Sequence, residues 1–384
     1  MRAGSSSRAV HRVQTAQLWR RSFASTSAAQ EQHTEAPKKV IFDPTSDPKL
    51  DDILTEMLHK IILPARLPKD KLKIISHEKN AQKLRVDPVI IEVEGYEHRF
   101  PILDFTQDTI PKSSALLKNA LKLMKTREDW GNLVRILAGY RNAGRHVTTQ
   151  QVLDLIRYAG KTGNIYAVID AFRNVKESRL RIRSVPRADA ILHYIQAMAV
   201  DADYAEKEAR QAKTWAILLR ELMEDGDHAK VPAAGRVPLH REPSVVGQTL
   251  HAVASYAALH QGGKDVDGKV AELAATLTHV WPEGKNLAEI HKNTLPDDAA
   301  PGKRIEFMQE SDAHLAIAIS RRISATCFTL RGIEHAKEMV EPEVAAGLAP
   351  IEEVLRADLA ALAAKRDTIK ADVGWAIYDK LMKA

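Results

Sequence analysis

From Ser113 onward the chain repeats one pattern: short runs with an apolar residue every three or four positions, each broken by a polar turn. That period restricts the fold to packed helices. Leu116, Leu117, Ala120, Leu121 and Met124 share one face behind a Ser113 or Ser114 N-cap. Trp130, Leu133, Val134, Leu137 and Tyr140 share the next, from Glu128 or Asp129 to a Gly144 stop. Val152, Leu153, Leu155, Ile156 and Ala159 follow Thr148 or Thr149 and stop at Gly160 to Gly163, and Val168, Ile169, Phe172 and Val175 make a fourth run. Connections of a few residues force neighbouring helices to lie antiparallel. No such pair buries its apolar face alone, so each leans on the next. The expected fold class is all-α, an irregular α-solenoid of antiparallel helical hairpins. Alanine and leucine recur through the second half while aromatics make up 5 % of the chain, which suits closely packed helices and not a β-sandwich.

Before the array the pattern differs. Residues 31 to 48 mix Gln, His, Thr, Pro and charge without a period and read as a linker. Leu50, Ile53, Leu54, Met57, Leu58, Ile61 and Ile62 mark a short amphipathic helix that Pro64 and Pro68 stop. Pro88 to Leu103 is β-branched and aromatic around Gly95, which predicts one small β-hairpin near the N-terminus. It must pack on helices to persist, as a cap on the first of them. Further hairpins are expected from Asp189 to Ala199 with Lys213 to Glu224, and from Pro243 to Gly262 with Val266 to Val280. Ser311 to Val340 and Pro350 to Met382 make the last, with Pro342 and Pro350 in the turn between them. Gly226 to Pro243 and Trp281 to Arg304, rich in Gly, Pro, His and charge, read as loops or partner-binding segments. The organisation expected is a targeting segment (1–30), a linker with a short helix and the hairpin (31–111), basic helical hairpins (112–225), and a C-terminal hairpin array with loop insertions (226–384).

The first thirty residues hold Arg2, Arg8, Arg12, Arg20 and Arg21, many Ser and Ala, and no Asp or Glu. That is the composition of a mitochondrial presequence. Val10 to Phe23 can form a helix with Val13, Leu18 and Trp19 apolar and Arg12, Arg20 and Arg21 basic, and Arg21-Ser22-Phe23-Ala24 places maturation near Phe23/Ala24. A mitochondrial matrix location is therefore expected. Without this segment the formal net charge falls from +6 to +1. The remainder is uneven: 12 Lys+Arg against 15 Asp+Glu in residues 31–111, 16 against 5 in 112–187, and 23 against 30 in 188–384. The middle is locally +11. A local excess favours a polyanion partner, because attraction to phosphates follows the local field and the counterions displaced. The alternative is that these cations only solubilise a basic helix pair.

Motifs for chemistry are missing. The single Cys327 excludes an intrachain disulfide framework and a cysteine-rich zinc knuckle, and is expected in the core. No apolar run reaches the ~18 residues of a membrane-spanning helix, so no transmembrane segment is expected, and peripheral membrane contact stays open. Gly160-Lys161-Thr162 ends like a P-loop, but that motif needs a glycine five residues earlier, where Leu155 stands. No Gly-x-Gly-x-x-Gly follows a strand. Fifteen histidines form no His-Glu-x-x-His; His251 and His260 read as surface or capping residues. Glu338, Glu341 and Glu343 read as a solvated acidic turn, and Cys327 has no nearby His to mark a nucleophile. No enzymatic activity, cofactor or metal is expected.

Residues 150 to 184 resemble one pentatricopeptide repeat. Leu155 and Ile156 fall at the apolar pair of the motif's first helix, Lys161-Thr162-Gly163 at its turn, Phe172, Val175 and Lys176 in its second helix, and Leu180 after it. Val168 replaces the usual Ala, and Arg179 and Ile182 replace the usual Gly and Pro. The chain is thus similar to fungal-type mitochondrial pentatricopeptide-like and tetratricopeptide-like helical-repeat proteins, as an irregular array and not a base-by-base reader of RNA. Matrix targeting, this resemblance and the local +11 segment together lead to the expectation of work in mitochondrial gene expression, binding RNA or a mitoribosomal subunit. Lys118, Lys122, Lys125, Arg141, Arg145, Arg157, Lys161, Arg179, Arg181 and Arg183 are the candidate RNA contacts, with Tyr158 and Tyr166 as stacking platforms. The competing reading is a scaffold or assembly factor for a respiratory complex that takes protein partners in grooves between its helices.

Overall fold

Asp47 begins the helical part: in extended backbone it accepts the Lys49 amide, and Pro48 sits in the first turn, where its missing N–H costs nothing. The computed structural model describes residues 41–93, 95–103, 111–229, 237–291, 312–369 and 371–383. The expected presequence, and parts of both expected loop insertions, lie outside them. Helix α1 (Pro48–Met57) continues into a π-turn, Leu58–Ile62. The wider turn rotates the apolar face: Leu50, Leu54, Met57 and Ile61 enter the core of the array, while Leu58, Ile62 and Leu63 enter a smaller core. That smaller core also takes Ile75 of α2 (Lys69–Ile75), Leu84 of α3 (Ala81–Val86), and Val89, Val93 and Phe100 around the predicted hairpin. Its strands, β1 (Ile90–Val93) and β2 (Tyr96–Arg99), pair antiparallel with Val93 opposite Tyr96, closed by Gly95 at φ +78°.

The array follows as α4 (Ser113–Leu123), α5 (Arg127–Gly131), α6 (Leu133–Asn142), α7 (Thr149–Lys161), α8 (Ile165–Arg173), α9 (Val175–Ser178), α10 (Val185–Asp201) and α11 (Glu206–Glu224). It continues as α12 (Pro243–His260), α13 (Lys269–Val280), α14 (Leu287–His291), α15 (Asp312–Lys337), α16 (Pro342–Ala363) and α17 (Asp372–Met382). The first helices of successive hairpins pack in one row: α1 on α4, α4 on α7, α7 on α10, α10 on α12, α12 on α15 and α15 on α17. From α7 to α15 neighbours in that row run parallel, whereas α1 runs antiparallel to α4, its start lying beside Asp129 just past the end of α4. Arg187 at the start of α10 reaches Thr149 at the start of α7 (2.9 Å), and Tyr194 packs on Gly160 near the far end of α7. The expected all-α solenoid with one β-hairpin is the observed fold.

Glycines set how closely the row packs. A Cβ on Gly332 of α15 would stand 2.7 Å from the His251 backbone of α12, and one on Gly374 of α17 would stand 2.6 Å from the Ser320 carbonyl. Fifteen consecutive residues of α12, Pro243 to Ala257, are buried. The two large apolar clusters meet at a polar seam between α10 and α12, where Asp189 accepts from Ser244 Oγ and Gln248 Nε2 (both 2.9 Å) and Gln196 bonds His251 Nδ1. Each of these groups would cost about 1–3 kcal/mol if left unbonded, which fixes the register of the two helices.

Several expectations are corrected. Helix α4 ends at Leu123, so Met124, expected on its apolar face, is the cap and Lys125 lies beyond the helix. The predicted second helix is interrupted at Asn132, whose backbone stays near helical (φ −78°, ψ −11°) while its side chain ties down the preceding segment: Oδ1 accepts the Asp43 amide (2.8 Å) and Nδ2 donates to the Asp43 carbonyl (3.0 Å). Asp129 accepts from Ser46 N and Oγ (both 2.8 Å) and from the amides of Lys125 and Thr126 (both 2.9 Å). These donors hold its carboxyl down to about 2 against the effect of burial. Residues 41–47, read as linker, are thus tied to α5 and α6. Pro350 lies inside α16, on its exposed face beside exposed Ala346, where the lost hydrogen bond faces water; the expected turn is residues 338–341, with Pro342 alone opening α16, and a further break separates α16 from α17. His251 is no surface histidine but fully buried, with Tyr204 OH at 2.8 Å from Nε2. Cys327 is buried as expected, and burial pushes its thiol pKa up.

Candidate nucleic-acid interface

Eight of the ten candidate cations stand at the two edges of the solenoid, and Lys118 and Arg157 lie on helix faces between them. Helix α7, 13 residues long, spans about 20 Å from one edge to the other. On the edge where α7 begins, Arg141 at the end of α6 donates to the Lys176 carbonyl of α9, and Arg187 donates to the Arg181 carbonyl and to Thr149 Oγ1 (both 2.9 Å). These bonds draw together the α6–α7 and α9–α10 connections, which carry Arg145, Arg179, Arg181 and Arg183. Arg179 caps α9 in left-handed backbone, φ 57°, taking the place a glycine usually fills. Burial and the neighbouring Arg183 lower the pKa of Arg187, whose own bonds hold this edge together.

At the opposite edge Asn164 Nδ2 donates to the carbonyls of Lys125 (3.1 Å) and Thr162 (2.7 Å), joining the turns after α4 and after α7. Lys125 and Lys161 stand there, with Lys122 one helical turn from Lys118 on the exposed side of α4. Arg157 is engaged already: it pairs with Asp154 at 2.8 Å and lies over the Tyr158 ring at 5.1 Å. Tyr158 is half-buried, whereas Tyr166 is 42 % exposed beside Trp215, ring centroids 5.7 Å apart.

Pairing separates these cations from those further along the chain. Among the described residues Lys118, Lys122, Lys125, Arg145, Lys161, Arg179, Arg181 and Arg183 have no carboxylate within 4.0 Å. After residue 205 the pattern reverses, with Lys213–Asp267 (2.7 Å), Arg220–Glu272 (3.2 Å), Lys337–Glu352 (2.9 Å), Arg356–Glu334 (2.6 Å) and Arg366–Asp379 (2.6 Å). Averaging over residues 31–111, which are acidic as a whole, also hides six exposed cations on α2, α3 and the turn between them. A window of about twenty residues would have found them.

Gly160, the glycine of the P-loop-like triplet, lies inside α7 where Tyr194 fills the space of a side chain. It is a packing glycine and cradles no phosphate. Among the described residues no three His, Cys, Asp or Glu side chains come together to hold a metal, and no helix is long and apolar enough to cross a membrane.

The family described as "Mitochondrial ribosomal protein mS27" matches residues 21–380 of the chain. The chain belongs to the mitochondrial ribosomal protein mS27 family. It is similar to the small ribosomal subunit protein mS27 of Neurospora crassa, 27 % identical over 326 residues, covering 78 % of this chain and 77 % of that one. As a member of the mS27 family it is a mitochondrial matrix protein with a ribosomal and non-enzymatic part in mitochondrial translation, as expected. Membership decides between the two readings in favour of the mitoribosome over a respiratory-complex scaffold. The family assignment does not itself make the chain a pentatricopeptide repeat protein.

Proposed function

We propose that this chain is built into the small subunit of the mitochondrial ribosome and grips ribosomal RNA through the edge that carries Arg145, Arg179, Arg181 and Arg183. Lys122, Lys125 and Lys161 supply further phosphate contacts from the other edge, with Lys118 adding to them from the face of α4. Arg141 and Arg157 act indirectly, one holding α9 and the other stacked on Tyr158. The observation that carries this reading is the absence, among the described residues, of a carboxylate partner for the exposed cations at these edges. An unpaired guanidinium at a surface is free to displace counterions from RNA and to fork onto phosphate oxygens. The name of the Neurospora crassa relative, a small ribosomal subunit protein, supports the placement.

Helices α7 and α8 form what we take to be a pentatricopeptide-type hairpin. Its support is a 13-residue first helix with a Thr148 capping box and a tight Lys161-Thr162-Gly163 turn with Gly163 at φ 72°. The division into residues 31–111, 112–225 and 226–384 is supported near its second boundary by the passage from one apolar cluster to the other at α10–α12. The charge-paired C-terminal helices suit protein neighbours, which would make that half the protein-facing part.

The test is a gentle mitochondrial lysate sedimented with and without RNase, comparing wild type with Arg145→Glu/Arg179→Glu/Arg183→Glu. Arg181 is left unchanged because its half-buried side chain would place a carboxylate under the α9–α10 connection. Wild type is expected with the small subunit and the triple variant at the top of the gradient with its fold intact. Wild type running light and RNase-insensitive would refute the placement.

A further inference from the structure

The N-terminal module carries a second basic surface outside the region that sequence reading assigns to RNA. Residues 69 to 85 hold Lys69, Lys71, Lys73, Lys79, Lys83 and Arg85 against Asp70 and Glu78. All six cations are exposed on α2, α3 and the turn between them. None has a carboxylate within 4.0 Å among the described residues.

The scaffold beneath them is firmly held. Ile75 and Leu84 are buried in the N-terminal core, Asn80 Nδ2 donates to the Ile74 carbonyl (3.0 Å), and the Leu103 amide donates to the Ile75 carbonyl (2.7 Å). The cations are therefore presented by a fixed surface and not by a loose tail. A surface made only for solubility mixes both signs, as the helices after residue 205 do. Here Lys69, Lys71 and Lys73 stand on α2 against the single acid Asp70, and Lys69 and Lys73 repel across one helical turn.

We propose that α2 and α3 form a second RNA-binding surface, which takes the phosphate backbone of double-stranded ribosomal RNA. No Phe, Tyr or Trp occurs from Pro64 to Pro88, so the surface lacks the stacking platforms that capture unpaired bases. Lysine point charges without aromatics read phosphate position and A-form shape and not sequence. The proposal rests on the ribosomal reading above and adds to it a contact at the start of the chain.

The experiment uses the full chain, wild type against Lys69→Glu/Lys71→Glu/Lys73→Glu/Lys83→Glu, with a mixed-sequence RNA duplex as probe and a salt series as readout. Helix content and melting temperature check the fold, and single Lys→Gln substitutions stand in should the quadruple variant melt early. The expected result is a fall of about 3 in the slope of log affinity against log salt, and weakening of about tenfold or more near physiological salt. RNA crosslinks in small subunits should also map to residues 69–85. An unchanged slope overturns the proposal. So does loss of binding to cardiolipin-containing phosphatidylcholine vesicles with duplex binding intact, which would assign the surface to a membrane. These outcomes leave the ribosomal placement standing if wild type still sediments with the small subunit; wild type that binds duplex but sediments apart would sink the placement and not the surface.

Discussion

Residues 112–187 and the helices after residue 205 use their cations in opposite ways. In the C-terminal half, most cations are closed by the chain's own carboxylates, as in Arg356 between Glu334 and Glu352 or Arg366 against Asp379. In the middle, Arg145, Arg179 and Arg183 stand exposed without such partners among the described residues. The difference teaches that the number of Lys and Arg in a segment says less about RNA binding than whether the fold has already used them.

The largest effect should come from opening this contrast directly. Arg145→Glu/Arg179→Glu/Arg183→Glu is expected to weaken binding to small-subunit ribosomal RNA by about 100-fold near physiological salt and to flatten its salt dependence. A matched reversal in the closed half, Arg210→Glu/Arg356→Glu/Lys380→Glu, should change RNA affinity by less than about threefold, since exposed paired charges contribute little to the external field. Equal losses from both would erase the distinction.

Packing makes the C-terminal half closed in a second sense. Gly332→Ala places a methyl group 2.7 Å from the His251 backbone, and overpacking of this kind costs about 1–3 kcal/mol, readable as a lower urea midpoint. Gly131→Ala, at the end of α5 where an added Cβ meets nothing within 4 Å, should be neutral or slightly stabilising. If Gly332→Ala proves as mild as Gly131→Ala, the close approach of α15 to α12 is wrong.

The seam between the halves should be acid-sensitive. Burial pushes His193 down to about 4 and His251 down to about 3, helped by Arg321 near the first and by His335 and Arg331 near the second. Both are neutral when folded, whereas the unfolded chain takes up a proton near 6.5. Their stabilisation is therefore complete above about pH 6.5 and is lost as pH falls toward 4. We expect about 1–2 kcal/mol per histidine to be lost between pH 7 and 5, seen in urea melts, and His193→Phe should flatten that slope. A slope unchanged by the substitution would remove His193 from this account. The smallest effect belongs to Lys380→Ala: its pair with Asp201 at 2.9 Å is exposed on both sides and should contribute under about 1 kcal/mol in a thermal melt.

Much of this fold is legible in the sequence because helices announce themselves by period. The faces of α4, α6, α7 and α8 follow the apolar spacing, and Gly95 between β-branched runs marks the hairpin. What escapes lies in contacts between distant residues. Nothing local in residues 41–47 shows that Asp129 and Asn132 will accept their amides. Pro350 misleads because whether proline ends a helix depends on which side faces water. For the interface, the cations of 112–187 are plain in the composition, but their division between two edges and the prior engagement of Arg141 and Arg157 need the fold. The α2–α3 cations were hidden by averaging over a longer acidic segment.

The most direct test is to map RNA–protein crosslinks in purified mitochondrial small subunits. The account predicts crosslinked peptides containing Arg145 and the stretch from Arg179 to Arg183, and none from α12 to α17. Crosslinks confined to the C-terminal helices, or no crosslink anywhere in the chain, would contradict it.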